Sequence, residues 1–332
     1  LRELVSAYGT IPNSTEVMTF DSFLYQIGLR PYELIILAYF QENRRIIKGV
    51  TFRKPPAMSI KLKSKGYRRN PLYYPVDTFD HYFYEGFYYC EYLSKLILRV
   101  QDNKTPLSDK IAFYINKFFD CVYFDEFQDY REYDFKLIEK LFAKINNAYA
   151  YGDFYQHSVS GVNNHGVPYK VGEKDVSIEE FIETIKKWGV EVDTSSLCRT
   201  RRCPSKVCTF IRQKLDICIE ADNDHKGYFR LINSEEDAIR VLKDNNIKKL
   251  VYKESAKYTM NCINWGYSKG DTYESTCVIL TESFKGLLSK SFSLKNIAPT
   301  TINELYVAIS RTSANICFIE KELFDCVKDA FT

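Results

Sequence analysis

The segment Cys121–Asp129 (Cys-Val-Tyr-Phe-Asp-Glu-Phe-Gln-Asp) is an apolar run that stops at three carboxylates and an amide. Strands of a parallel sheet are covered on both faces and therefore read as continuous hydrophobic runs. Ligands of open α/β sheets bind outside the carboxyl ends of such strands. The pattern predicts a buried parallel strand that delivers acidic side chains to a site. If the strand continues, Asp125 and Glu126 point in opposite directions; the alternative is a strand followed by an acidic helix N-terminus.

A second junction of this kind follows at Asn147-Ala-Tyr-Ala-Tyr-Gly-Asp-Phe-Tyr-Gln156. Asp125-Glu-Phe-Gln-Asp129 and Gly152-Asp153-x-x-Gln156 resemble motifs II and III of the UvrD/Rep-like superfamily 1 helicases. Three more segments resemble motifs of that family in the same order along the chain. They are Thr19-Phe-Asp-Ser-Phe23 (motif Ib, with Asp21 in place of the usual His), Gly266-Tyr-Ser-Lys-Gly-Asp-Thr-Tyr273 (motif V) and Tyr306-Val-Ala-Ile-Ser-Arg311 (motif VI).

The resemblance covers roughly residues 1–25 and 115–320 and implies an α/β protein with two RecA-like P-loop NTPase domains. Domain 1A is expected over residues 1–190, with a basic and aromatic insertion similar to subdomain 1B at about 44–105. Domain 2A is expected over residues 191–332. Too few residues separate motifs IV and V for a 2B subdomain, so the chain resembles compact bacterial and phage relatives.

Apolar periodicity predicts helices over residues 20–40, 110–119, 133–145 and 178–188. Strands are predicted at residues 249–252, 276–281 and 316–319, and a polar loop is predicted at residues 160–174. The insertion shows poor periodicity and contains four prolines between positions 55 and 75.

The phosphate-binding loop of this family is not found in the sequence. Its pattern is Gly-x-x-x-x-Gly-Lys-Ser/Thr, and no Gly-Lys dipeptide occurs in the 332 residues. In relatives the loop lies upstream of motif Ib, so we expect it before Leu1. The alternatives are a relative that does not hydrolyse ATP and a loop supplied by another chain.

The resemblance also implies roles for individual residues at an ATP and Mg²⁺ site between the two domains. Asp125 would hold Mg²⁺, Glu126 would orient the attacking water, and Gln156 would sense the terminal phosphate. Gln128 and Asp153 would support this corner of the nucleotide site. Phosphoryl transfer requires positioned charge rather than covalent help, which suits such a set.

The second domain would contribute cationic groups. Arg311 is the expected arginine finger, because its planar and permanently charged fork suits a transferring phosphoryl group. Arg202 matches the motif IV arginine, with Arg199 as its rival. Gly270 and Thr272 would lie near the sugar and phosphates, and Lys269 would serve either the nucleotide or the nucleic acid.

A basic island interrupts an otherwise acidic chain. Residues 44–76 hold ten of the 46 Lys and Arg residues and no acid, which leaves 36 basic against 43 acidic residues elsewhere. Positive charge beside aromatic rings is typical of single-strand nucleic-acid binding, although most of the tyrosines between positions 67 and 89 are expected in the core. The predicted nucleic-acid-binding residues are Thr19, Arg53, Lys54, Lys61, Lys63, Arg68, Arg69 and Lys269.

The composition, with 45% hydrophobic and 27% charged residues, is ordinary for a globular protein and fits an intracellular enzyme. Ten cysteines without paired short spacing indicate reduced thiols, and the sequence lacks an eighteen-residue apolar stretch, so we expect a cytoplasmic protein with no membrane partner. The predicted function is an ATP-dependent helicase that translocates on single-stranded or partly duplex DNA. The alternative is a hydrolysis-deficient nucleic-acid-binding or scaffold protein. By analogy, a nuclease or another subunit of an anti-phage defence complex is a further expected partner.

Overall fold

The computed structural model describes residues 12, 14–42, 44–61, 66–159 and 166–332. These residues form two compact units. Unit one contains the described residues up to Phe124 together with Tyr130–Ala150, and unit two contains Asp125–Asp129 together with Tyr151–Thr332. The candidate acidic residues of motif II therefore group with the C-terminal part of the chain. The domain boundary at residue 190 stays a prediction.

Unit one is a mixed α/β unit with short strands. Its helices are α1 (Phe20–Phe23), α2 (Glu33–Tyr39), α3 (Leu93–Arg99), α4 (Leu107–Phe118) and α5 (Glu132–Phe142). Its strands are β1 (Gly49–Thr51), β2 (Ser59–Lys61), β3 (Tyr67–Arg69), β4 (Phe83–Tyr84), β5 (Phe87–Tyr89), β6 (Gln101–Asp102), β7 (Thr105–Pro106), β8 (Val122–Phe124) and β9 (Ala148–Ala150). The parallel pair β8–β9 carries the two predicted strand-to-site junctions.

The predicted insertion has more regular structure than its sequence pattern indicates. Strands β1, β5 and β4 form a three-stranded sheet, and β2 and β3 form a separate hairpin. Tyr82, Tyr88 and Tyr89 are buried, which confirms their expected place in the core. Tyr67 and Tyr74 are exposed instead. The periodicity was weak because strands of two or three residues are too short to establish an alternation.

Unit two is built on a five-stranded parallel sheet with the strand order β14-β18-β17-β15-β16. The strands of unit two are β10 (Lys170–Val171), β11 (Lys174–Asp175), β12 (Arg199–Thr200), β13 (Glu220–Ala221), β14 (Phe229–Ile232), β15 (Lys248–Val251), β16 (Cys262–Asn264), β17 (Tyr273–Ile279) and β18 (Thr312–Ile319). Its helices are α6 (Ile178–Lys186), α7 (Ser205–Leu215), α8 (Glu235–Lys243), α9 (Pro299–Ile309) and α10 (Lys321–Val327).

Alternation along the central strands places the core of unit two on both faces of the sheet. Val278 and Phe318 face a cluster that includes residues of α7 and α9. Cys277 and Cys317 face the opposite cluster, which includes residues of α8 and α10. Successive side chains of a strand point to opposite faces, so an uninterrupted apolar run supplies both layers. This arrangement confirms an α/β fold with a parallel sheet.

The predicted helices and strands are confirmed with shifts of a few residues at their ends. The helical segment predicted over residues 20–40 continues from Phe20 to Tyr39 through a π-helical stretch at Leu24–Leu29. The predicted loop at 160–174 is wrong at its end, because β10 and β11 form a short hairpin there. Residues 160–165 lie outside the described part of the chain.

Candidate functional site

The motif II acids project from a tight turn and not from a continuing strand. Strand β8 ends at Phe124, and Glu126 has a φ of 51°. The Glu126 amide donates to Asp125 Oδ1 at 2.9 Å, and the Asp129 amide donates to the Glu126 carbonyl at 2.8 Å. A positive φ reverses the chain locally, so the strand does not continue through Asp125 and Glu126, and the condition for their alternation is not met. Both carboxylates remain exposed.

Phe127 anchors this turn within unit two. Its side chain is 8% exposed, and its ring centroid lies 6.0 Å from that of Trp188 and 6.3 Å from that of Phe181. Its amide donates to the Tyr151 carbonyl at 2.7 Å. Burial of an aromatic ring fixes the backbone on either side of it. The neighbouring acidic residues are thereby held in a defined position.

Lys269 of the motif V segment contacts the motif II acids. Its ammonium lies 2.6 Å from Asp129 Oδ1 and 3.1 Å from Glu126 Oε2, and its side chain is only 15% exposed. These residues are about 140 positions apart in the sequence. The structure thus brings two predicted motifs together through charge-assisted hydrogen bonds, which are stronger than neutral ones.

Gln128 joins motif II to motif III. Its side chain is 2% exposed, donates through Nε2 to Glu126 Oε2, and accepts from the Asp153 amide at 3.0 Å. Gly152 makes room for this link, since a Cβ there would lie 2.5 Å from Gln128 Oε1. The glycine of the Gly-Asp pair is therefore required by close packing against a buried amide.

The Asp153 carboxylate connects motif III to motif VI. Its Oδ2 atom accepts from Gln156 Nε2 at 2.8 Å and from the Tyr306 hydroxyl at 2.7 Å, while Oδ1 accepts from the Tyr155 amide at 3.0 Å. Burial and the adjacent Asp153 charge both raise the pKa of Tyr306. Tyr306 therefore stays a hydrogen-bond donor at neutral pH.

Tyr306 is a residue to which the sequence assigned no role. It belongs to the segment that resembles motif VI. Its hydroxyl is the polar group in an otherwise apolar stretch of α9. A tyrosine at a buried helix position usually needs a partner for its hydroxyl. That requirement indicates a polar contact, although the sequence gives no means of choosing Asp153 as the partner.

Arg311 is the most buried cation of the candidate site. It is 2% exposed, donates through Nε to the Val307 carbonyl at 3.0 Å and through Nη2 to Ser310 Oγ at 2.9 Å. Burial, together with a smaller effect of the positive charge of Arg202, lowers its pKa to about 10. Within the described residues it forms no ion pair with a carboxylate. A guanidinium desolvated in this way gains from a bound anion.

Arg202 lies beside Arg311, whereas Arg199 does not share this environment. Arg202 Nη1 donates to the Ser310 carbonyl at 3.4 Å. Arg199 is exposed and lies 3.7 Å from Glu220. The geometry therefore favours Arg202 over its rival as the second arginine.

Gly270 and Thr272 follow Lys269 on the chain that enters β17. Gly270 has a φ of 86°, and Thr272 is exposed. The hydrogen bonds that link the other candidate residues do not include these two positions among the described contacts. Their expected place near the sugar and phosphates stays a prediction.

The predicted nucleic-acid residues other than Lys269 lie in unit one. Lys61, Arg68 and Arg69 are exposed on the β2–β3 hairpin, and Arg53 covers the Tyr84 ring at 4.1 Å from its centroid. Lys54 lies on the connection from β1 to β2. Lys63 lies outside the described residues.

Thr19 has a structural function in addition to its predicted one. Its hydroxyl oxygen accepts from the Ser22 amide at 3.3 Å and caps α1. The basic island of residues 44–76 exposes several large apolar side chains, namely Phe52, Met58, Tyr67 and Leu72. Exposed apolar groups beside basic ones form a surface suited to stacking and to phosphate contacts.

The carboxylate oxygens of the motif II acids suit a divalent cation of the magnesium type. Mg²⁺ prefers hard oxygen ligands, keeps several waters, and is often held by one or two carboxylates together with phosphate oxygens. Asp125 presents such a carboxylate at the end of β8. Across the part of the chain that the structure describes, no three His, Cys, Asp or Glu side chains converge as a metal-binding group. Cys203 and Cys208 are buried in the hydrophobic core of unit two.

Comparisons with known proteins leave the family open. No family model and no curated protein matches the chain. Among solved structures, the helicase nonstructural protein 10 of an arterivirus is similar over 62% of this chain, with a TM-score of 0.35 and 13% identity. The nsp10 helicase of PRRSV is similar over 63% of the chain, with a TM-score of 0.24 and 15% identity. The match spans 41% and 38% of those two chains.

For the residues that the structure covers, no helix is both long and apolar enough to cross a membrane.

Proposed function

We propose that the protein is a nucleic-acid-dependent ATPase of the UvrD/Rep-like superfamily 1 type, with two RecA-like domains. The observation that supports this proposal is the network in unit two. Residues from four segments that resemble motifs II, III, V and VI are joined by hydrogen bonds and ion pairs. Chance matches scattered along the chain from Asp125 to Arg311 would not be expected to meet in one network.

The roles in the reaction follow from the chemistry of each group. Asp125 holds Mg²⁺, which supplies charge neutralisation at the phosphates when it is bound. The Glu126 carboxylate orients a water molecule for attack. Gln156 is positioned by Asp153, which fixes the direction of its amide. General-base assistance of this kind contributes about 10²–10⁴-fold in rate.

Arg311 and Arg202 supply positive charge for the phosphoryl group. Both approach Ser310, and the positive charge of Arg202 contributes to the lowered pKa of the Arg311 guanidinium. Two adjacent guanidinium groups are unfavourable without an anion. A transferring phosphate, with charge spread over its oxygens, would relieve this repulsion.

The nucleic acid binds through the basic island of residues 44–76. Its exposed arginines and lysines suit phosphate contacts, and Tyr67 offers an exposed ring for base stacking. The proposed substrate is single-stranded or partly duplex DNA, together with ATP.

The test is ATP turnover by the natural full-length protein with and without single-stranded DNA. We expect DNA to stimulate turnover, and Glu126→Gln to lower it by at least about 10²-fold. Glu236→Gln, on the exposed side of α8, is the matched control and should leave turnover unchanged. Equal turnover by Glu126→Gln and the unmodified protein would contradict the catalytic assignment.

A second candidate function keeps the exposed cations of Lys61, Arg68 and Arg69 for nucleic acid but involves no ATP turnover. It is a hydrolysis-deficient nucleic-acid-binding protein that acts within a nuclease or defence complex. DNA binding without ATP turnover, in the natural full-length protein, would support this alternative over the first.

A further inference from the structure

The structure assigns to Lys269 a positioning role that goes beyond contact with nucleic acid: its ammonium is the resident counter-ion of the motif II carboxylates, and a divalent cation must compete with it. This inference rests on the proposed function, because it concerns the same acidic turn. Its physical basis is the ion pairs of Lys269 with Glu126 and Asp129.

Both sides of these ion pairs belong to anchored backbone. Lys269 follows a short turn at Gly266–Ser268 in which Ser268 is fully buried and donates to the Trp265 carbonyl at 2.6 Å. Trp265 is fully buried too, and its indole donates to the Leu250 carbonyl at 2.9 Å. The ammonium is therefore delivered from rigid structure, and not from a mobile surface side chain.

The opposing turn is also held in place. Phe127 is buried next to Glu126, and the Gln128 side-chain amide donates to Glu126 Oε2. Glu126 thus has two donors, the Lys269 ammonium and the Gln128 amide. Since Lys269 is 15% exposed, water screens its charge less than that of a surface lysine.

The charge balance explains the competition. Asp125, Glu126 and Asp129 bring three carboxylates into five residues, and Lys269 neutralises part of this charge. The Lys269 ammonium lies 3.1 Å from Glu126 Oε2 and 2.6 Å from Asp129 Oδ1. It therefore repels a divalent cation that approaches the adjacent Asp125. Removal of the ammonium should therefore strengthen cation binding. Its presence disfavours loading of the metal until another anion, such as a nucleotide phosphate, draws Lys269 away.

The test is a titration of the full-length protein with Mn²⁺ alone, without nucleotide. Binding is measured as the loss of the free Mn²⁺ signal in electron paramagnetic resonance. We expect Lys269→Met to bind Mn²⁺ at least about tenfold more tightly than the unmodified protein, given the size of Coulomb interactions at this range. Lys269→Arg, which keeps the charge, should bind like the unmodified protein. If Lys269→Met does not fold, Lys269→Gln serves the same purpose.

Two controls locate the effect. Lys257→Met removes an equal charge from an exposed ion pair with Glu254 and should leave Mn²⁺ affinity unchanged. Asp125→Asn in the Lys269→Met background should abolish the gain. Unchanged affinity of Lys269→Met, or a gain that survives Asp125→Asn, would overturn the inference.

The outcome is separable from that of the proposed function. A gain in Mn²⁺ affinity in a protein that never hydrolyses ATP would support the inference and refute the ATPase. DNA-stimulated hydrolysis with no change in Mn²⁺ affinity would leave the ATPase standing and refute the inference.

Discussion

The carboxylate of Asp153 accepts hydrogen bonds from Gln156, three residues away, and from Tyr306, 153 residues away. A single side chain therefore couples a local turn to a helix from a distant part of the sequence. Because Tyr306 is almost fully buried, its hydroxyl has no water to replace a lost partner. The link should be visible in stability as well as in catalysis.

Tyr306→Phe is expected to lower the free energy of unfolding by about 1–3 kcal/mol, since the bond is to a charged acceptor and its loss leaves Asp153 with fewer donors. Urea unfolding measures this change. Tyr267→Phe is the matched control, because Tyr267 is 68% exposed and its hydroxyl should contribute less than about 0.5 kcal/mol. Equal effects of the two substitutions would show that the Asp153 contact contributes nothing.

At the level of elements, helix α5 carries a half-buried carboxyl, that of Asp134, in its first turn. Burial, with a smaller contribution from the negative charge of Asp21, raises the pKa of Asp134 from 3.8 to about 6. The folded state therefore holds a proton that the unfolded state releases at lower pH. The contribution to stability is present below about pH 4 and is lost as the pH rises toward about 6.

Asp134→Asn should remove this pH dependence and increase the free energy of unfolding at pH 7 by up to about 3 kcal/mol, which corresponds to a shift of about two pKa units. Urea unfolding between pH 4 and pH 8 gives the profile. The control is Asp237→Asn in the first turn of α8, whose side chain is 41% exposed. A profile of Asp134→Asn that still falls between pH 4 and pH 6 would contradict this account.

Helices and strands could be predicted from the sequence where the apolar pattern was long. The side-chain contacts between distant segments could not. The helices α4, α5 and α6 and the central strands β15, β17 and β18 match the apolar periodicity, because burial on a fixed face imposes that period. The positive φ of Glu126 has no signature in a single sequence. The meeting of Lys269 with Glu126, and of Tyr306 with Asp153, depends on packing over more than 130 residues.

At the scale of the whole molecule, the net charge of +3 conceals two opposed regions. The sequence alone located the basic island, and the structure adds that Arg68 and Arg69 are exposed on β3 with Lys61 on the paired strand. Exposed cations attract a polyanion at long range and release its counter-ions on contact. Nucleic-acid affinity should therefore depend strongly on salt.

Replacement of both Arg68 and Arg69 by Ala should weaken binding of single-stranded DNA of any sequence. The slope of log affinity against log salt should fall by about 0.7 for each lost phosphate contact. Fluorescence anisotropy over a salt series measures both quantities. Arg240→Ala with Lys243→Ala removes the same charge from the exposed side of α8 and controls for the overall change in net charge. If the two double variants lose DNA affinity and salt slope equally, long-range charge explains binding and the β2–β3 hairpin makes no phosphate contacts. If only the Arg68 and Arg69 variant loses affinity and salt slope, the result supports a nucleic-acid path over β2 and β3.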